Sequence, residues 1–85
     1  MPRVEIYTKA FCPYCSRAKR LLDQKGVAYD EHDITMGGPD RATMIERANG
    51  RTTVPQVFVG ERHIGGSDDL ASAESSGELD RLLAA

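Results

Sequence analysis

Between Val4 and Ile34 the hydrophobic period changes twice, and this switch limits what the chain can become. Val4-Glu5-Ile6-Tyr7-Thr8 alternates and is rich in β-formers, the pattern of a half-buried strand near residues 3–8. From Tyr14 the period lengthens. Tyr14, Ala18, Leu21 and Leu22 share one helical face, and Arg17, Lys19, Arg20 and Lys25 are left for water. Gly26 ends this helix, near 14–25, after the cationic Lys25. Val27 to Ile34 then reads as a second strand, weakened by charge at its outward positions. Strand, helix and strand in about thirty residues make a βαβ unit, with parallel strands and a right-handed crossover.

The remainder adds two strands and more helix. Gly37-Gly38-Pro39-Asp40 breaks the chain and opens a second helix, which carries Met44, Ile45 and Ala48 and ends around Asn49-Gly50. Gln56-Val57-Phe58-Val59 is a third strand, and the turn at Gly60-Glu61-Arg62 leads into a short fourth, His63-Ile64. Gly65-Gly66 stops that strand, and Ser67 suits the N-cap of a helix beginning Asp68-Asp69-Leu70. Ser75-Ser76-Gly77 interrupts before a last helical stretch, Glu78 to Leu83. The order βαβ-α-ββ-α specifies a small α/β fold with a four-stranded mixed sheet flanked by helices. Eighty-five residues support one domain, 1–85.

Both cysteines stand at the junction of the first strand and helix, as Cys12-Pro13-Tyr14-Cys15. Cys12 falls just before the first helical turn, and Pro13 occupies a position where its missing N–H costs nothing. A thiol there faces unpaired backbone N–H groups and the positive end of the helix dipole, so its reactive thiolate form is favoured. Lys9, three residues upstream, adds positive charge. Cys15 lies one turn on, deeper, and positioned to resolve a mixed disulfide formed at Cys12. A purely structural bridge is disfavoured, because so short a loop restrains the unfolded chain weakly. Zinc is disfavoured too: only His32 and His63 remain as nitrogen donors, and neither stands in a paired ligand motif. A net charge of −2 argues against a general nucleic-acid binder. With no bilayer-length apolar run and no secretory signal, the expected location is cytoplasmic, where paired cysteines are more often catalytic than structural.

These features resemble the glutaredoxins. The residues that carry the likeness are Lys9 and Cys12-Pro13-Tyr14-Cys15, then Thr53-Val54-Pro55, then Gly65-Gly66-Ser67-Asp68. More narrowly, the chain is similar to the short bacterial dithiol glutaredoxins, which keep little beyond a thioredoxin-like fold. The resemblance implies a glutathione-dependent thiol–disulfide oxidoreductase. It would act as a monomer on disulfide-containing or glutathionylated proteins, with glutathione as co-substrate and no tightly bound cofactor or metal. In such enzymes the Cys-Pro-Tyr-Cys loop accompanies a potential of about −200 to −230 mV.

The same resemblance assigns the binding residues. Thr53-Val54-Pro55 matches a cis-proline segment whose Val54 backbone pairs with glutathione like an added strand. Read without it, Pro55 is an ordinary loop proline. Gly65-Gly66-Ser67-Asp68 is an anion site on residue grounds alone, with close backbone approach followed by a helix start. The family places the γ-glutamyl end there, with backbone N–H groups on its carboxylate and Asp68 on its ammonium. Lys9 is the candidate for the glycyl carboxylate, with Arg41 behind it. Tyr14 lines the groove in the family, while its spacing equally suits a core aromatic.

Two other readings stay open on sequence. One is an iron–sulfur carrier in which Cys12 from two subunits and two glutathiones hold a cluster, though Pro13 makes the loop less accommodating. The other is a redoxin reduced by thioredoxin reductase, against which Lys9 and Ser67-Asp68 speak.

Overall fold

The computed structural model describes residues 2–85. The elements run β1 (Val4–Thr8), α1 (Pro13–Gln24), β2 (Asp30–Asp33), α2 (Pro39–Arg47), β3 (Gln56–Val59), β4 (Arg62–Gly65), α3 (Ser67–Ser76) and α4 (Glu78–Leu83). The sheet order is β2-β1-β3-β4. β1 runs parallel to β2 and antiparallel to β3, and β3 and β4 form an antiparallel hairpin. The four-stranded mixed sheet and the element order are those read from the sequence.

Alternation along the central strands divides the core. Val4, Ile6, Val57 and Val59 face α1, α3 and α4, where Ala18, Leu22, Leu70 and Leu79 meet them. Tyr7 and Phe58 point the other way, onto Met44 and Ala48 of α2 and onto Ile34. Each fully buried aliphatic or aromatic side chain contributes about 1.5–3 kcal/mol relative to exposure.

Three local expectations are corrected by this layering. β1 is buried along its whole length rather than half-buried, because helices cover both faces of the sheet. The second strand begins at Asp30, not Val27, because Val27 and Tyr29 pack against the helical side of the core instead of entering the ladder. Ser67 is the first residue of α3 rather than its cap; the cap position is Gly66, whose N–H donates to the Asp69 carboxylate at 2.9 Å. The break at Gly77 is sharp: its backbone is left-handed, at φ 82°, and separates α3 from α4.

Candidate active site

The left-handed backbone of Phe11, at φ 57°, turns the chain out of β1 and leaves its ring fully exposed. Cys12 follows in extended conformation as the N-cap of α1, with Pro13 in the first helical position. The Cys12 Sγ accepts the Cys15 backbone N–H at 3.1 Å. The two sulfurs differ in surroundings. Cys12 is partly exposed, whereas Cys15 is buried at 2% exposure. Burial, followed by its hydrogen bond with the Cys12 sulfur, pushes the Cys15 thiol up to about 12, against an opposing hydrogen bond from the Lys9 backbone. One sulfur is therefore open to a substrate, and the other is sheltered and protonated until its partner reacts.

A groove of about 350 Å³ opens beside this pair. One wall is Thr53, Val54 and Pro55, with the Val54–Pro55 peptide bond cis. The other wall is Gly66, Ser67 and Asp68 at the start of α3, and Tyr14 closes the end nearest the cysteines. Tyr14 is 56% exposed, with the Arg17 guanidinium 5.4 Å from its ring centroid. It is thus a groove residue and no part of the core.

Two further residues line this groove that were not singled out in the sequence, Arg51 and Asp69. Their side chains meet at 3.2 Å across it. The Gly66 N–H and the Arg51 guanidinium hold the Asp69 carboxyl below its ordinary range, against the opposing effect of burial. A signal existed for each. Arg51 stands just before the Thr53-Val54-Pro55 segment, and Asp69 is an acid three residues after the glycine that caps a helix.

Lys9 lies elsewhere. It lines a second cleft of about 420 Å³ on the other side of the cysteines, with Lys19 and Glu31 at its back. There the Thr8 hydroxyl donates to Glu31 Oε2 at 2.7 Å and Lys19 Nζ does so at 3.0 Å. The structure thus gathers Tyr14, Thr53, Val54, Pro55, Gly66, Ser67 and Asp68 into one groove and sets Lys9 with Cys12 and Cys15. Arg41, near the start of α2, lines neither cleft. His32 and His63 are engaged with Glu5 and Gln56. Among the described residues, no helix is long and apolar enough to cross a membrane.

The family model described as Glutaredoxin matches residues 4–64. The chain is 54% identical over 83 residues to Glutaredoxin 3 of Escherichia coli (strain K12), covering 98% of this chain and 99% of that protein. The solution structure of glutaredoxin from Brucella melitensis aligns with a TM-score of 0.83 at 51% identity, over 98% of this chain and 89% of that one. A buckwheat glutaredoxin–glutathione complex aligns with a TM-score of 0.84 at 33% identity, over 98% of this chain and 77% of that one. A thioredoxin-like sheet, a Cys-Pro-Tyr-Cys helix start and these whole-length likenesses agree: the chain belongs to the glutaredoxin family, whose activity is thiol–disulfide oxidoreduction.

Proposed function

We propose that this chain is a glutathione-dependent thiol–disulfide oxidoreductase, acting as a single cytoplasmic domain and as a monomer. The observation that carries the reading is the partly exposed Cys12 sulfur, with a groove beside it that suits the γ-glutamyl end of a peptide-like thiol and Lys9 in the second cleft for its other carboxylate. The Cys12 thiolate attacks the glutathione sulfur of a glutathionylated protein. The Cys12–glutathione disulfide forms, the original disulfide breaks, and the protein leaves as a thiol. A second glutathione thiolate then attacks the bound glutathionyl sulfur, releasing oxidised glutathione and the Cys12 thiolate.

With a protein disulfide, Cys12 forms the mixed disulfide and Cys15 attacks the Cys12 sulfur. The client departs with both sulfurs reduced, and two glutathiones reduce the Cys12–Cys15 bond. Thr53 and Val54 hold the backbone of glutathione, and Pro55 shapes the wall beneath it. The N–H groups at Ser67 and Asp68, with Arg51 nearby, receive the γ-glutamyl carboxylate, and the Asp68 carboxylate receives the ammonium. By position Lys9, rather than Arg41, serves the glycyl carboxylate. The glutathione complex of the buckwheat relative supports this use of the groove.

Single cysteine variants test the proposal on a small glutathione mixed disulfide and on a protein disulfide. Cys12→Ser is inactive on both. Cys15→Ser keeps the first activity and loses the dithiol reaction. Activity in Cys12→Ser sinks the assignment.

A further inference from the structure

The strands that lead into the two walls of the groove are joined by a part-buried contact in which the direction of each hydrogen bond can be worked out. Gln56, the first residue of β3, is completely buried although its side chain is polar. Its Nε2 lies 3.0 Å from the Thr53 carbonyl oxygen and 3.3 Å from the Thr53 hydroxyl. A carbonyl oxygen only accepts, so the amide nitrogen must face Thr53. The Gln56 Oε1 is then left for the His63 Nε2, 2.7 Å away on β4. That nitrogen must therefore carry a proton and donate it.

Burial and the nearby Arg51 and Arg47 keep the imidazole below its ordinary range, with Asp69 pulling the other way. The neutral ring thus bears its single proton on Nε2. The ring is held flat on Phe58, with centroids 4.8 Å apart and planes 23° apart.

The placement of these residues gives the contact its consequence. Gln56 directly follows the Thr53–Pro55 wall, and β4 runs from His63 straight into Gly66 and the opposite wall. At the surface the walls are within van der Waals reach: a Cβ on Gly66 would sit 3.5 Å from the Pro55 carbonyl oxygen. The exposed Arg51–Asp69 pair spans the same gap from outside, where water and salt weaken it. A neutral bond to a fully buried amide, less open to water than that pair, holds its geometry more firmly.

We propose that Gln56 and His63 are positioning residues of this groove: their part-buried hydrogen bond sets the distance between the Thr53–Pro55 and Gly66–Asp68 walls, and through it the affinity for glutathione. This rests on the glutathione reading above. It also separates two jobs within the site, because neither residue lines the cleft that holds Lys9 and the cysteines.

The test compares wild type with Gln56→Leu, His63→Phe and His63→Gln. His63→Phe keeps a flat ring on Phe58 but lacks the donor. His63→Gln restores an N–H where the imidazole Nε2 stood. Readouts are the dissociation constant for S-methylglutathione, KM against kcat with a small glutathione mixed disulfide, the rate of Cys12 alkylation and the thermal midpoint.

Affinity falls about five-fold in Gln56→Leu and His63→Phe, the loss of about one net hydrogen bond. KM rises with little change in kcat, Cys12 alkylation is preserved, and His63→Gln recovers most of the affinity. If Gln56→Leu fails to fold, the two His63 variants carry the comparison. Wild-type affinity in His63→Phe, or parallel losses of affinity and Cys12 alkylation, overturns the proposal alone. A wild-type protein that does not bind S-methylglutathione overturns the glutathione reading and this proposal with it.

Discussion

The Cys12 sulfur lies 3.1 Å from the backbone nitrogen of Cys15, so the partly exposed thiol caps the very helix that carries its buried partner. Because Cys12 is the N-cap, its side chain must point back over the first turn to satisfy a free N–H. The geometry that holds the sulfur at the surface is the same one that brings the Cys15 backbone beneath it. Any group bonded to Cys12 therefore projects from the helix start toward the groove or the second cleft, and Cys15 stays inside.

Thiol chemistry should separate the two cysteines cleanly. At neutral pH, iodoacetamide should add once to the folded, reduced protein, at Cys12, and twice after denaturation. Peptide mass mapping reads the site. The Cys15 thiol, pushed up to about 12 from an ordinary value of 9.0, also sets a stability window. Between those values the folded state keeps a proton that the unfolded state has released, so stability falls as pH rises through the window. Urea unfolding of the reduced protein should show this decline, and Cys15→Ser should remove that component. Labelling of Cys15 in the folded state at neutral pH would contradict the assigned burial.

Glu5 is the one acid in the central strand, and it should be costly to remove. It is 8% exposed and faces α2, where Arg47 meets it at 3.0 Å and the His32 Nε2 lies at 3.1 Å. Arg47 also donates to the Tyr7 hydroxyl at 3.0 Å and lies 4.1 Å from the Phe58 centroid. Burial pushes the Glu5 carboxyl up, but Arg47 and His32 together outweigh it and hold the group below its ordinary 4.5. A carboxyl held low stabilises the fold above its unfolded value, and that contribution is lost as pH falls through the folded one. Glu5→Ala should cost about 2 kcal/mol at neutral pH, the worth of hydrogen bonds to charged groups. The double variant with Arg47→Ala should cost less than the two single losses added together. Full additivity in urea titrations would show that the pair is not coupled.

Glu5 also shows where sequence reading stops. The order of elements was legible because the switch from period two to helical period is local, and so were Gly26 and Gly77 as helix stops. Whether β1 was covered on one face or two was not legible, since that depends on where α2 docks. Alternation with Glu5 outward reads as a solvated face until Arg47 arrives from forty-two residues away to partner it. The cysteine pair was legible because strand, proline and helix meet within a few residues. For Arg51 and Asp69 the local signals marked a position but not a pairing, because each takes its place in the groove through a contact between a loop and a helix eighteen residues apart. Ser67 misled for a local reason: it is a good cap by type, but the side chain that reaches the free N–H belongs to Asp69.

That cap gives a graded series. Asp69→Ala should cost about 1 kcal/mol, the usual worth of a helix cap. Asp69→Asn should cost less, because an amide oxygen can still accept the Gly66 N–H. The Asp69 carboxyl lies below its ordinary 3.8, so its contribution is present above that value and lost as pH falls through the folded one. Urea midpoints of wild type and Asp69→Ala should therefore converge in acid. A constant gap down to pH 2 (about one and a half units or more below the ordinary value) would mean the carboxylate charge plays no part.

Gly65 is the glycine that this arrangement cannot exchange. Its φ of 119° lies outside what side chains adopt readily, and an added Cβ would collide with the Asp69 carboxylate, 2.7 Å from its Cγ. Gly65→Ala should thus lose twice: about 1–3 kcal/mol of backbone strain and the displaced Asp69 cap, about 1 kcal/mol more. Neighbouring Gly66 is the control. Its φ is −82°, and its added Cβ would meet only ordinary contacts, so Gly66→Ala should lose only the preference of a helix cap for glycine over alanine, about 1 kcal/mol or less. The mechanism is checked by combining Gly65→Ala with Asp69→Ala. If the new methyl acts partly by pushing Asp69 off Gly66, the double variant must be more stable than the sum of the two losses allows. Strict additivity would assign the whole cost of Gly65→Ala to its backbone and leave the cap in place.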